Sequence, residues 1–151
     1  MLDKLNQAIL RHSPSDEDFA SATCVLLRPN ARGHHITIAS AGHPPTLIRR
    51  RGGSVEEHTE NGPLTGLFAD TIYPERSLTL EPGELVLLYT DGLPDSKTRD
   101  GGRLGTDAVA ATLAALPDGA RAADAVAAYD RLLETVEPVD DVAIIVAAAI
   151  Q

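Results

Sequence analysis

The chain has 151 residues, a formal net charge of −9 and a hydrophobic content of 43%, which suits one domain burying about 68–70% of its unfolded surface. The acidic excess argues against a nucleic-acid backbone or an anionic membrane as the main partner, and the apolar content argues against wholesale disorder. Aromatics make up 3% and Trp is absent, so the core has to be built from Val, Leu, Ile and Ala.

Taken in chain order, Leu2, Leu5, Ile9 and Leu10 recur at helical spacing and predict an amphipathic helix over residues 1–12. Ser13-Pro14-Ser15-Asp16 is expected to end it. Residues 19–28 read as a strand with a mostly buried run, in which the single cysteine, Cys24, is expected to be an inert buried thiol. Pro29-Asn30-Ala31-Arg32-Gly33 should turn the chain into a second strand over 34–41, where Ile36 and Ile38 alternate with Thr37 and Ala39. Gly42-His43-Pro44-Pro45 breaks that strand. Residues 46–50 and 54–58 form a hairpin around Gly52-Gly53, and Arg49-Arg50-Arg51 reads as a solvated strand end rather than a phosphate reader. Residues 61–69 form an irregular loop.

A further strand is predicted over 76–80, followed by a tight turn at Glu81-Pro82-Gly83-Glu84. The apolar strand Leu85-Val86-Leu87-Leu88-Tyr89 then runs to Asp91-Gly92, and a polar, Gly-rich loop occupies 94–105. Two helices follow. The first spans 106–116, with Thr106 or Asp107 as cap and Val109, Leu113 and Leu116 inward. The second spans 122–136 and buries Val126, Tyr129, Leu133 and Val136. Pro117-Asp118-Gly119 separates them, and a last strand covers 142–149. Consecutive strands, then helices, then a final strand make an α+β pattern in a single domain, residues 1–151. The apolar run from Val142 to Ile150 is too short to span a bilayer, and a cytoplasmic protein is expected.

Two acidic segments carry the chemistry. Asp91-Gly92 ends a buried strand and Asp140-Asp141 begins another, so paired strand ends can bring distant carboxylates together, an arrangement suited to a hard cation. Asp-Gly is also a common hairpin dipeptide, but the long loop that follows argues against a two-residue hairpin. In a strand, Asp140 and Asp141 point to opposite faces, so one of the pair faces the site. The histidines show no metal or triad spacing: His34 and His35 are adjacent on a strand, His12 and His58 read as exposed, and His43 sits in a turn where a structural hydrogen bond is the expected role.

Several segments together resemble the bacterial branch of the metal-dependent PP2C-type serine/threonine phosphatases, the SpoIIE/RsbU-like group. They are Phe19-Ala20-Ser21-Ala22-Thr23, Ala39-Ser40-Ala41-Gly42-His43-Pro44-Pro45, Gly62-Pro63-Leu64-Thr65-Gly66-Leu67, Leu80-Glu81-Pro82-Gly83-Glu84, Tyr89-Thr90-Asp91-Gly92-Leu93 and Asp140-Asp141-Val142-Ala143. The resemblance implies a PP2C-like antiparallel β-sandwich flanked by helices. It implies Mn²⁺ or Mg²⁺ as cofactor, with Asp91 and Asp140 as ligands and Gly92, Asp95 and Asp141 as supporting residues. It also implies a phosphorylated regulatory protein of the anti-anti-sigma kind as substrate. The family's upstream metal motifs, which supply the ligand bridging two ions, do not occur in this sequence. The chain therefore reads as an N-terminally truncated domain with no catalytic residue of its own, weakly active or inactive alone. It is expected to self-associate through an exposed sheet edge. The alternative is a catalytically inactive interaction module in sigma-factor or stress signalling.

Overall fold

A computed structural model describes residues 1–12, 18–31, 33–60 and 62–150. The break expected at Ser13-Pro14-Ser15-Asp16 lies outside the described residues, as do Arg32 of the first hairpin and Asn61 at the start of the loop. The elements are α1 (Leu2–His12), β1 (Ala22–Asn30), β2 (Gly33–Ala41), β3 (Thr46–Arg49), β4 (Val55–His58), β5 (Glu75–Leu80), β6 (Leu85–Tyr89), α2 (Gly105–Ala114), α3 (Ala122–Leu133) and β7 (Ile144–Ala148). They form two compact units, residues 1–43 with 59–79, and residues 44–58 with 80–151.

The first unit holds a three-stranded sheet in the order β1-β2-β5. β1 and β2 pair antiparallel from Ala22↔Ala41 to Asn30↔Gly33, so the hairpin closes later than the turn residues suggest. Ile36 and Ile38 are buried, as their alternation predicts, but Ala39, Ser40 and Ala41 are buried as well, so the end of the strand is covered on both faces. β1 departs from expectation. As an edge strand it is only half-buried at its start and exposed from Leu26 onward, because its apolar run contacts a partner on one side only. Cys24 is half-buried for the same reason, with its Sγ 3.4 Å from Met1 Sδ. Asn6, buried on α1, donates from Nδ2 to Phe68 O (2.8 Å) and accepts from Gly66 N (2.7 Å), pinning the irregular 62–69 segment to the helix.

The second unit holds a four-stranded sheet, β4-β3-β6-β7, with every pairing antiparallel. Its core comprises Leu47, Leu85, Leu87 and Tyr89 of the sheet with Val109, Leu113, Ala125 and Tyr129 of the helices. The Tyr129 hydroxyl donates to Val109 O at 2.8 Å, which ties α3 to α2. α2 starts at Gly105 with Leu104 in the cap position and no side-chain cap, so neither Thr106 nor Asp107 serves. α3 turns Ala125 inward rather than Val126, which is 40% exposed. In an Ala-rich helix either phase presents an apolar stripe, and the phase is set by Tyr129 packing.

The arginine run is a solvated strand end only at Arg51, which is exposed. Arg49 is 2% exposed and donates from Nη2 to Leu116 O at 2.5 Å, just beyond the end of α2. Arg50 bridges Glu84 (2.8 Å) and Glu56 (2.9 Å), and Arg51 pairs with Glu81. Arg49 also lies 3.7 Å from Asp118, and the carbonyls at a helix C-terminal end attract a cation. His58, also expected to be exposed, has a side chain only 10% exposed and lies 3.7 Å from a Glu56 oxygen.

Candidate functional site

Strand β6 is apolar because it is covered on its faces and hydrogen-bonded on both edges, to β3 and β7. It ends at Tyr89, and Thr90 takes over where the ladder stops. The Thr90 amide donates to Ala143 O at 3.0 Å. Its hydroxyl accepts from Ala143 N at 2.8 Å and donates to Asp141 O at 3.0 Å. One side chain thus replaces the ladder bonds that the approach to β7 lacks.

Beyond Thr90 the chain winds tightly instead of returning as a hairpin. Leu93 N donates to Thr90 O, Asp95 N to Asp91 O, and the buried Ser96 hydroxyl to Gly92 O at 2.7 Å. Gly92 is the point of closest approach. A Cβ built there falls 2.5 Å from Asp141 O and 2.9 Å from Asp140 O. The backbones of the two acidic segments therefore touch, and only hydrogen fits between them.

This contact places Asp91 and Asp140 at neighbouring chain segments, and Asp91, Asp140 and Asp141 are all exposed. β7 begins at Ile144, so Asp140 and Asp141 lie before the strand and the alternation of faces does not govern them. Asp140 Oδ1 accepts from the Asp141 amide at 2.7 Å, which fixes one carboxylate oxygen. Asp95 is half-buried and held by Arg103 Nη1 at 2.9 Å. Thr90, Ser96 and Arg103 are supporting residues that the sequence reading missed. The Thr immediately before Asp91-Gly92 was the available signal.

Carboxylate oxygens are the right donors for Mg²⁺ or Mn²⁺. Among the described residues, however, no three His, Cys, Asp or Glu side chains come together as a metal-holding group. Two carboxylates fall well short of the six oxygen ligands such an ion takes. The donor chemistry fits, and the donor number does not complete a site.

Residues 1–149 match the family described as Stage II sporulation protein E (SpoIIE). Over 73 residues, 48% of this chain, the sequence is 32% identical to the phosphoserine phosphatase RsbP of Bacillus subtilis, and the match covers 18% of that protein. Among solved structures, the RsbU and RsbW domains of Rv1364c from Mycobacterium tuberculosis align with a TM-score of 0.76 and 27% identity, over 99% of this chain and 42% of that one. The manganese-presoaked phosphatase domain of SpoIIE from Bacillus subtilis aligns with a TM-score of 0.62 over 98% of this chain and 71% of that one; at 17% identity it shows the shared PP2C fold alone. The matched segments make up 10%, 18% and 22% of the three sequence relatives, so this chain spans a small part of their length. With nearly its whole length matched and the PP2C fold in place, the chain belongs to the SpoIIE family of bacterial PP2C-type phosphatase domains.

Proposed function

We propose that this chain forms part of a metal-dependent protein serine/threonine phosphatase, with Asp91 and Asp140 as two ligands of a Mn²⁺ or Mg²⁺ ion. The observation that supports it is the contact at Gly92, which holds Asp91 against the Asp140-Asp141 segment. When bound, the ion would supply Lewis acidity and a water of lowered pKa. The chain's own contribution is positional: Thr90 and Gly92 set the approach of the two segments, and Arg103 steadies Asp95. Hydrolysis requires oxygen donors beyond these two carboxylates, so the 151-residue chain alone should turn over weakly or not at all.

The proposed substrate is phosphoserine or phosphothreonine on a regulatory protein of the anti-anti-sigma kind in the cytoplasm; the name of RsbP, a phosphoserine phosphatase, supports the phosphoserine part. No helix among the described residues is long and apolar enough to cross a membrane. Self-association is proposed through β1 or β7, edge strands with Leu26, Leu27 and Ile145 exposed. Light scattering tests that part, and a clean monomer would count against it.

The ligand assignment is tested by calorimetric Mn²⁺ titration of this chain. Asp91→Asn and Asp140→Asn should each weaken binding, and an unchanged isotherm for either refutes its assignment. For the activity, a protein that extends this chain upstream with further oxygen donors should hydrolyse phosphoserine in a Mn²⁺-dependent way and lose turnover with Asp91→Asn. Metal-independent hydrolysis, or full activity of that variant, overturns the phosphatase reading.

A further inference from the structure

Away from the acidic turn, the second unit contains a cleft of about 340 Å³ lined by Arg49, Arg51, Gly52, Gly83, Asp118 and Gly119. Arg49 pairs with Leu85 at the start of β6, whereas Asp91 follows the end of that strand. The two places are therefore separated by roughly 20 Å of chain at about 3.3 Å per residue.

We infer that this cleft is an oxyanion-binding site, for a phosphate or carboxylate group of a small ligand. Arg49 carries the argument. Its guanidinium is buried, and Nη2 is engaged with the carbonyls of Leu116 (2.5 Å) and Pro117 (3.4 Å). Clamping the end of α2 uses that nitrogen alone. The buried Nε donates to no atom among the described residues, and a buried donor without a partner is rare enough in native proteins to call for a ligand or solvent. Arginine presents its donors in a fork that matches phosphate and carboxylate oxygens.

The rim is built to stay open. Gly52, Gly83 and Gly119 have φ of +85°, +87° and +77°. A Cβ on Gly52 or Gly119 would meet no atom within 4 Å, and one on Gly83 would touch only Arg51 Cγ at 4.0 Å. Three residues without side chains thus surround two arginines and leave backbone accessible to a ligand. Two carboxylates compete for the cations. Asp118 lies 3.7 Å from Arg49 Nη2 with its side chain 83% exposed, and Glu81 pairs with Arg51 while 42% exposed. Both are solvent-facing and screened, so an incoming oxyanion can displace them.

The test is titration of the intact chain, without metal and at constant ionic strength, with inorganic phosphate and separately with acetate, read by amide chemical shifts. Saturable shifts at Gly52, Gly83 and Gly119, with Gly92 unmoved, are expected. Phosphate alone binding assigns the phosphate class, and both binding assigns a general oxyanion site. Asp118→Asn, which removes a competing carboxylate, should tighten binding about threefold, and Arg51→Ala should weaken it about threefold, the size of one partly exposed charge. Both positions are exposed enough for the variants to fold. If neither anion gives saturable shifts, or if neither variant changes the affinity, Arg49 is a structural clamp only and the proposal fails.

Discussion

Gly92→Ala tests the contact on which the site depends. Gly92 does not have a positive φ, so alanine meets no backbone strain there, and the effect isolates the steric one. The new methyl would lie 2.5 Å from Asp141 O, 2.9 Å from Asp140 O and 2.9 Å from the Asp141 carbonyl carbon. Ordinary contact requires the segments to separate by several tenths of an ångström, against a neighbour held by the Thr90 hydroxyl and the β6–β7 ladder. Overpacking of this kind costs about 1–3 kcal/mol. For a chain of this size that lowers Tm by about 2–12 °C, at about 2–4 °C per kcal/mol. Calorimetric unfolding gives the stability and Mn²⁺ titration gives the site, and both should fall together because one displacement causes both. A variant that melts with the native protein and binds Mn²⁺ equally well would show that the acidic segments are not in contact.

The neighbouring Thr90 offers a graded check. Thr90→Val keeps the shape and loses both hydroxyl bonds, at about 1–3 kcal/mol, whereas Thr90→Ser retains them and should cost less by chemical denaturation. The buried tyrosines give a contrast. Tyr129→Phe loses the bond to Val109 O and should cost about 0.5–1.5 kcal/mol. Tyr89→Phe removes a hydroxyl with no partner among the described residues and should be neutral or stabilising near pH 7. Burial, and secondarily the Glu57 charge, pushes the Tyr89 phenol up to about 12, and burial also raises Tyr73 and Tyr129. The unfolded phenol ionises near pH 10 and the folded one later, so this contribution to stability is full below pH 10 and is lost as pH rises towards 12. Phenolate absorbance in the native protein should appear only above pH 10, and Tyr89→Phe should flatten the alkaline loss of stability. Glu56 runs the other way. The Arg50 hydrogen bond lowers its carboxyl below the ordinary 4.5, so the small stabilisation from this exposed pair is present above that pH and fades as pH falls through the folded value. Glu56→Gln should therefore lower Tm slightly at neutral pH and not in strong acid.

Period-2 alternation at Ile36 and Ile38, the turn at Glu81-Pro82-Gly83-Glu84 and the apolar strand before Asp91 were all legible, because each is a local pattern with one physical solution. The long loop after Asp91-Gly92 correctly pointed away from a simple hairpin. Arg49 was misread because its partners, the carbonyls of Leu116 and Pro117, lie far along the chain and no local pattern announces them. The half-exposed β1 reflects its edge position, a property of the sheet order rather than of its own apolar run. Ala125 in place of Val126 follows from helix phase, which alanines on both sides leave undetermined. At the site, Asp91 and Asp140 could be paired by reasoning from strand ends. The agents of their approach, a glycine without room for a methyl and a threonine acting as ladder, emerge only from the tertiary arrangement.

The order of the strands in the four-stranded sheet has a consequence for synthesis. β6 is the middle partner of β7, yet the two are joined through α2 and α3, so the pairing of Leu87 with Val146 must wait for all the intervening chain. While residues 85–95 emerge from the ribosome, Asp91 has no acidic neighbour and Thr90 has nothing to grip. The contact between the two acidic segments is therefore absent from the nascent chain and closes in one late step when Ile144–Ala148 docks.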